Sequence, residues 1–363
     1  NTAPRSKMPY TSYSGGVMGS TSYGYYAGGA NTGDPSAPIL NSRIQRLDYA
    51  SDTADTVTRS YITASPSYNS FVEGASNTNF GYITGRSSPR NSIVTRLDFA
   101  NDTNNTVQKG FMASDASTRV AAANADYGWF GSGSSSTLSY LIMQKRVERV
   151  DFSNDTAIAQ VRGDLSSPAY GSGASGNASF GYWGGGYDTS VVRRVNYSND
   201  TSTGLRKGSL SRGLQQAYFL SAFGSQEEGR QTSVKPPRKR FIDLAPEVLS
   251  PNVGPAYGYA MGGRKTPGNT DMSITERIDF SNDTTSPSPK GYLVSARYAR
   301  DGNHGTKDYG YLTGGALYGY DFSPAGFANH VKSNTDRIDY SNDTANLLAR
   351  GPLVEKVEQG GTA

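Results

Sequence analysis

Aspartate and asparagine recur along this chain at a spacing that could hold a hard cation. In Asp279-Phe280-Ser281-Asn282-Asp283 the side-chain oxygens fall at positions one, three and five, as in a calcium loop. A calcium loop also needs a glycine at its sharp turn and a late bidentate carboxylate, and neither follows here. A self-capped hairpin turn accounts for the same residues, because Asn and Asp tolerate left-handed backbone and bond to their own turn. Asp48, Asp98, Asp151, Asn196, Asp279 and Asp339 are therefore read as structural repeat positions, with no metal assigned. Their side chains are expected to accept hydrogen bonds from backbone or from a repeat arginine, with the arginine pairing partly buried between units.

Other chemistries find few residues to use. With no cysteine, the chain has no thiol nucleophile, zinc–thiolate site or disulfide. Its two histidines, His304 and His330, belong to no Ser-His-Asp arrangement. Catalytic carboxylates drawn from different units would break the symmetry of a repeat, and only repeat-equivalent aspartates are evident. No catalytic residue and no cofactor is assigned. Asn101, Asn154, Asn199, Asn282 and Asn342 each head an Asn-Asp-Thr sequon, but these coincide with the repeated turn and read as turn chemistry. Arg162-Gly163-Asp164 spells an adhesion tripeptide at a place where other repeats carry Lys-Gly, so it reads as a repeat position followed by a chance Asp.

The one concentrated charge cluster runs from Lys235 through two prolines to Arg238, Lys239 and Arg240, with Phe241 and further aliphatics after it. Prolines make such a segment stiff and extended, and apolar anchors suit docking. Lys235, Arg238, Lys239, Arg240 and Phe241 are the candidate partner-binding residues. The aromatic-rich turns near Tyr318, Tyr320 and Phe322 are the alternative contact surface.

Two motifs must position all of these. An octapeptide occurs six times, at 46–53, 96–103, 149–156, 194–201, 277–284 and 337–344, in forms such as Arg-Ile-Asp-Phe-Ser-Asn-Asp-Thr. Before each stands an aromatic motif, such as Tyr257-Gly258-Tyr259-Ala260-Met261-Gly262-Gly263 or Phe80-Gly81-Tyr82-Ile83-Thr84-Gly85. Aromatics separated by one small residue follow the period-two pattern of a strand. The octapeptide is a strand feeding a turn, with Ile278 and Phe280 on one face and Arg277 and Asp279 on the other. A short strand ending near Gly follows, and a fourth stretch leads to the next aromatic motif. Each unit thus holds four short strands.

The third octapeptide residue falls at 48, 98, 151, 196, 279 and 339, so the smallest interval is 45 residues, enough for four strands with turns. The interval of 83 contains an insertion at about 226–253, and the interval of 60 contains one at about 316–329. A unit of this size buries too little to stand alone, and radial repetition removes exposed edges. The expected fold is all-β, a single six-bladed β-propeller over 1–363 with four-stranded blades near 8–60, 61–110, 111–163, 164–208, 209–291 and 292–351. Residues 351–355 look like the start of a seventh unit and are expected to pair with the first as a closing strand.

Composition agrees. There are 43 Gly and 25 Tyr in 363 residues, with only 18% charged. The net charge of +4 is mild, and most arginines sit at equivalent repeat positions instead of forming one basic stripe, which argues against a nucleic-acid partner. No run of 18 apolar residues is present for a membrane-spanning helix, and the first residues lack the apolar core of a signal peptide.

Paired glycines after an aromatic strand, then Arg-x-Asp-aromatic, a turn and Thr, resemble the kelch repeat over about residues 8–354. The narrower wording, Asp-Phe-Ser-Asn-Asp-Thr with Tyr-Gly-Tyr-x-x-Gly-Gly, is similar to kelch-like repeats in virion structural proteins of marine phages, including cyanophages. That resemblance implies a non-enzymatic particle component in a tail, fibre or capsid-associated role, located in the virion. Its partners would be other virion proteins or a host-surface glycan. A carbohydrate-binding or carbohydrate-cleaving extracellular propeller is the alternative.

Overall fold

In a computed structural model, six antiparallel four-stranded sheets form a six-bladed β-propeller with almost no helix. The structure describes residues 15–31, 39–40, 42–51, 54, 56–63, 72–85, 92–116, 118–137, 140–169, 171–186, 189–210, 221–224, 257–265, 270–297, 302–305, 308–313, 332–357 and 361–362. Within each blade the strands run in chain order from first to fourth. Blade 1 comprises Gly16–Gly19, Tyr23–Ala27, Arg43–Asp48 and Val57–Tyr61, and blade 2 comprises Glu73–Ser76, Phe80–Thr84, Ile93–Asp98 and Val107–Phe111. Blade 3 has Val120–Ala123, Tyr127–Gly131, Tyr140–Asp151 and Gln160–Ala169, and blade 4 has Gly173–Gly176, Phe180–Gly184, Val191–Asn196 and Leu205–Ser209. Blade 5 has Ser221–Gly224, Tyr257–Met261, Ile274–Asp279 and Ser288–Tyr292, and blade 6 has Gly302–Gly305, Tyr309–Thr313, Lys332–Asp339 and Leu348–Val357. The aromatic motif is always the second strand and the octapeptide opens in the third, as their period-two patterning requires.

The core lies between blades. Met18, Tyr25 and Ile44 of blade 1 pack with Ile83 and Leu97 of blade 2, and Tyr82 and Val94 of blade 2 pack with Phe130 and Val150 of blade 3. Each sheet therefore buries both faces, one against each neighbour. Small residues let the first strands converge. A Cβ on Gly74 would run into the carbonyl of Val17 in the adjoining blade.

Two boundaries differ from the sequence expectation. Fourth strands run past the glycine expected to end them, to Phe111, Ala169, Ser209, Tyr292 and Val357, and that of blade 1, with Ser60 at this place, runs to Tyr61. The chain bulges instead of stopping there: register shifts between Gln108 and Phe111, and between the matching residues of other blades. The expected break at 163–164 thus cuts through the fourth strand of blade 3. Residues 351–355 lie within the fourth strand of blade 6, where Pro352 pairs with Asn334, and do not form a closing strand on blade 1. A different C-terminal piece, Gly361–Thr362, runs parallel to Gly302–Asn303 in the first strand of blade 6.

Candidate functional site: the blade junctions and the third-strand position

The octapeptide divides its residues among four tasks. Its second residue is core, with Leu97, Val150, Val195, Ile278 and Ile338 all buried. Its third residue caps the turn. Asp98 accepts from the Ala100 amide at 2.9 Å, and Asp279 accepts from the Ser281 amide at 2.9 Å and its hydroxyl at 2.6 Å. Asp48, Asp151, Asn196 and Asp339 make the same bond to the residue two places on. These bonds are exposed. The Ser281 hydroxyl is the main cause that holds the Asp279 carboxyl below the ordinary carboxylate range, and the Ser341 hydroxyl does the same for Asp339. The sequon asparagines also work inside the turn, as where Asn199 accepts from Thr201 and, through its carbonyl, from the Ser202 amide.

The arginine at the first position does not pair with this capping residue. It reaches across to the seventh residue of the next blade's octapeptide. Arg46–Asp102, Arg96–Asp155, Arg149–Asp200, Arg194–Asp283 and Arg277–Asp343 are separated by 2.5–2.9 Å. A second cation from the fourth strand completes each carboxylate: Arg59, Lys109, Arg162, Lys207 and Lys290, in the same order. The second-strand aromatic donates a third contact, from Tyr25, Tyr82, Trp129, Tyr182 and Tyr259 at 2.8–3.3 Å. Burial, reinforced by the facing carboxylates, pushes the four tyrosine hydroxyls up, so they stay protonated as donors. Burial alone would raise Asp102. Hydrogen bonds from Arg59 and Tyr25 and the charge of Arg46 outweigh it and hold that carboxyl below its usual range.

Ring stacking runs alongside. The second-strand aromatic stacks on the fourth octapeptide residue of the next blade, from Tyr259–Tyr340 at 5.3 Å to Trp129–Tyr197 at 3.7 Å. Tyr311 of blade 6 stacks in the same way on Tyr49 of blade 1, which closes the ring. Every octapeptide arginine also lies 4.1–4.3 Å over the ring that opens its own second strand. The fourth-strand glycine belongs to this junction. The Gly163 amide donates to the Asp200 carbonyl at 2.7 Å, and a Cβ there would strike the Ser202 carbonyl. Within Arg162-Gly163-Asp164, Arg162 meets Asp200 at the junction and Asp164 meets the exposed Lys145 at 3.1 Å.

Sequence reading missed a second polar position, the residue just before the octapeptide arginine. Gln45, Thr95, Glu148, Arg193, Glu276 and Asp336 are all at most 2% exposed, yet they differ in charge from blade to blade. The available signal was a polar side chain two residues before the buried apolar residue of the octapeptide, on the same strand face, in every repeat. Here the acids grip the segment that crosses from the preceding blade. Glu148 accepts from the Ala113 amide, the Ser114 hydroxyl and Arg119, and Asp336 accepts from the Val294 amide and Arg297. Arg193 inverts the pattern in blade 4. Its guanidinium donates to the Ser167 hydroxyl at 2.8 Å, the Gly185 carbonyl at 3.0 Å, the Val191 carbonyl at 3.2 Å and, weakly, Thr189 at 3.4 Å. Burial, with the charge of Arg206 adding to it, pushes its pKa down to about 10.

Lys235, Arg238, Lys239, Arg240 and Phe241 lie outside the described residues, as do both insertions with Tyr318, Tyr320 and Phe322. The first insertion falls between the first and second strands of blade 5, and the other between the second and third strands of blade 6. Among the described residues no cluster of three or more His, Cys, Asp or Glu could hold a metal ion, and no helix is long and apolar enough to cross a membrane.

No family model matches the chain, and no curated protein matches it. A solved structure described as "Structure of YjhT" is similar in fold, with a TM-score of 0.67 over 95% of this chain and 99% of that one, at 10% identity. At that identity the likeness supports the six-bladed β-propeller and nothing narrower.

Proposed function

We propose that this propeller is a non-enzymatic structural or adhesive component of a phage particle, in a tail, fibre or capsid-associated position. It would contact other virion proteins or a host-surface glycan. The wording of the repeat supports the particle assignment through its similarity to marine-phage virion repeats. The observation that carries the non-enzymatic reading is the saturation of the seventh-position aspartates by cations and aromatic donors, which commits them to joining blades, while the third-position residues cap their own turns. Exposed apolar residues at the rim favour contact with other proteins. Tyr61, Val107, Phe111, Ile158, Tyr292 and Leu348 are exposed next to blade junctions, where the Thr106, Ala159 and Leu347 amides donate to the carbonyls of Tyr61, Phe111 and Tyr292.

Mass spectrometry of purified particles tests the proposal. The chain should be recovered in stoichiometric amount with known capsid or tail proteins. Its absence from particles, together with release of reducing ends from polysaccharide by the isolated protein, would replace this reading with the glycan-cleaving one.

A further inference from the structure

One junction of the ring is unlike the other five. Blades 1 to 6 follow the chain in order, so a connecting segment ties every neighbouring pair except blade 6 and blade 1. The ring stack at that junction is the widest, with Tyr311 and Tyr49 at 6.1 Å against 3.7–5.3 Å at the other five. The first strands of blades 6 and 1 also make the least extensive contact of any neighbouring pair. At this place a fifth strand joins blade 6, on the axial edge of its sheet. Gly361 pairs with Gly302 and Thr362 with Asn303, in parallel. The same short strand comes within 8 Å, Cα to Cα, of the first strands of blades 1, 2 and 5. First strands are the innermost of each blade, so a segment close to four of them lies at the axis of the ring.

We propose that the axial edge of Gly302–Gly305 is a strand-accepting site for an extended peptide of small residues, and that Gly361–Thr362 fills it as the latch of the junction between blades 6 and 1. Strand addition gives that junction what chain connectivity does not: backbone hydrogen bonds to blade 6, with packing on blades 1 and 2 across the gap. The axis has room for little more than backbone. A Cβ on Gly16 would stand 2.9 Å from the backbone of Glu73, and one on Gly74 would run into the Val17 carbonyl. Glycine at 361 suits such close approach. A pairing of two residues is short, and each hydrogen bond adds only modestly to stability, so the latch exchanges with another strand of the same kind. The inference is independent of the virion reading, since it rests on the geometry of one junction.

Hydrogen exchange read by mass spectrometry tests this on a chain shortened to end at Val357. Amides of residues 16–27 and 302–313 should exchange roughly tenfold faster than in the intact protein, while those of 120–131 and 173–184 keep their rates. A free peptide with the sequence of residues 356–363 should restore protection saturably, and a scrambled peptide should not. If the shortened chain does not fold, the full-length double variant Gly361→Pro with Thr362→Pro carries the same test, because proline cannot donate to a strand ladder. Three results would overturn the proposal: exchange in blades 1 and 6 that matches the intact protein, an equal acceleration in all six blades, or protection that the free peptide does not restore.

Discussion

Blades 3 and 4 are neighbours with the same strand order, an aromatic second strand and octapeptides that differ only at the third and fourth residues, yet they treat one buried position oppositely. Glu148 is surrounded by donors from the crossing segment and by Arg119, whereas Arg193 is surrounded by neutral acceptors and faces Arg206. The shared features all serve the junctions. The feature that differs sits on the other face of the same strand, one residue away from the junction arginine. Both faces of the third strand build the ring, the arginine face towards the next blade and the other towards the preceding one through residues such as Leu97 and Val150, and within that second face a single position changes its charge between blades.

The sharpest way to break that comparison is to give blade 3 the sign of blade 4. Glu148→Arg would set two guanidinium groups, the new one and Arg119, in a buried site without a carboxylate. The expected loss exceeds the roughly 3–5 kcal/mol of merely breaking a buried ion pair, and chemical denaturation should show no folded baseline or a steeply lowered midpoint. Next in size is the junction aspartate. Asp155→Ala strands Arg96, Lys109 and the Tyr82 hydroxyl, at an expected cost of about 3–5 kcal/mol in urea unfolding. Gly163→Ala forces the Ser202 carbonyl aside and should cost about 1–3 kcal/mol by the same measurement. Asp98→Ala removes only an exposed turn cap and should cost about 1 kcal/mol. Two aspartates four residues apart in one octapeptide, Asp98 and Asp102, should therefore differ severalfold in what their loss does.

Acid titration gives the smallest and most general effect. Asp102, Asp279 and Asp339 all ionise below the ordinary carboxylate range in the folded chain. The folded state then holds fewer protons than the unfolded one as pH falls past the unfolded value of about 4. Their contribution is complete above that pH and is lost as pH drops through the folded values. Tm should be flat from pH 7 to 5 with respect to these groups and decline below about 4. Asp102→Asn should flatten part of that decline.

Much of this was legible in the sequence, and the reasons it stopped are physical. Tyr-Gly-Tyr and Arg-Ile-Asp-Phe carry the period of a strand within six residues, so blades, strand count and the octapeptide turn follow from local pattern. The partner of Arg277 does not. Within its own strand Asp279 shares its face and is the obvious acceptor, but Asp279 turns back to the Ser281 amide while Asp343 arrives from the next blade. Only closure of the ring decides between them. The glycine of Lys290-Gly291 likewise looked like a strand end, because a bulge that admits the next blade's turn has no local signature. Position 193 is hidden for another reason: its counterparts are Gln45, Thr95, Glu148, Glu276 and Asp336, so no single side-chain type marks the position in a search for what repeats.

A double-mutant cycle on Arg149 and Asp200 tests the central claim, that the octapeptide arginine is spent on holding one blade to the next. Unfolding free energies of Arg149→Ala, Asp200→Ala and the pair would be measured in urea under one set of conditions. A coupling of about 1–3 kcal/mol is the predicted result, as for residues in one charged network. Additive losses, with a coupling within about 0.5 kcal/mol of zero, would contradict it.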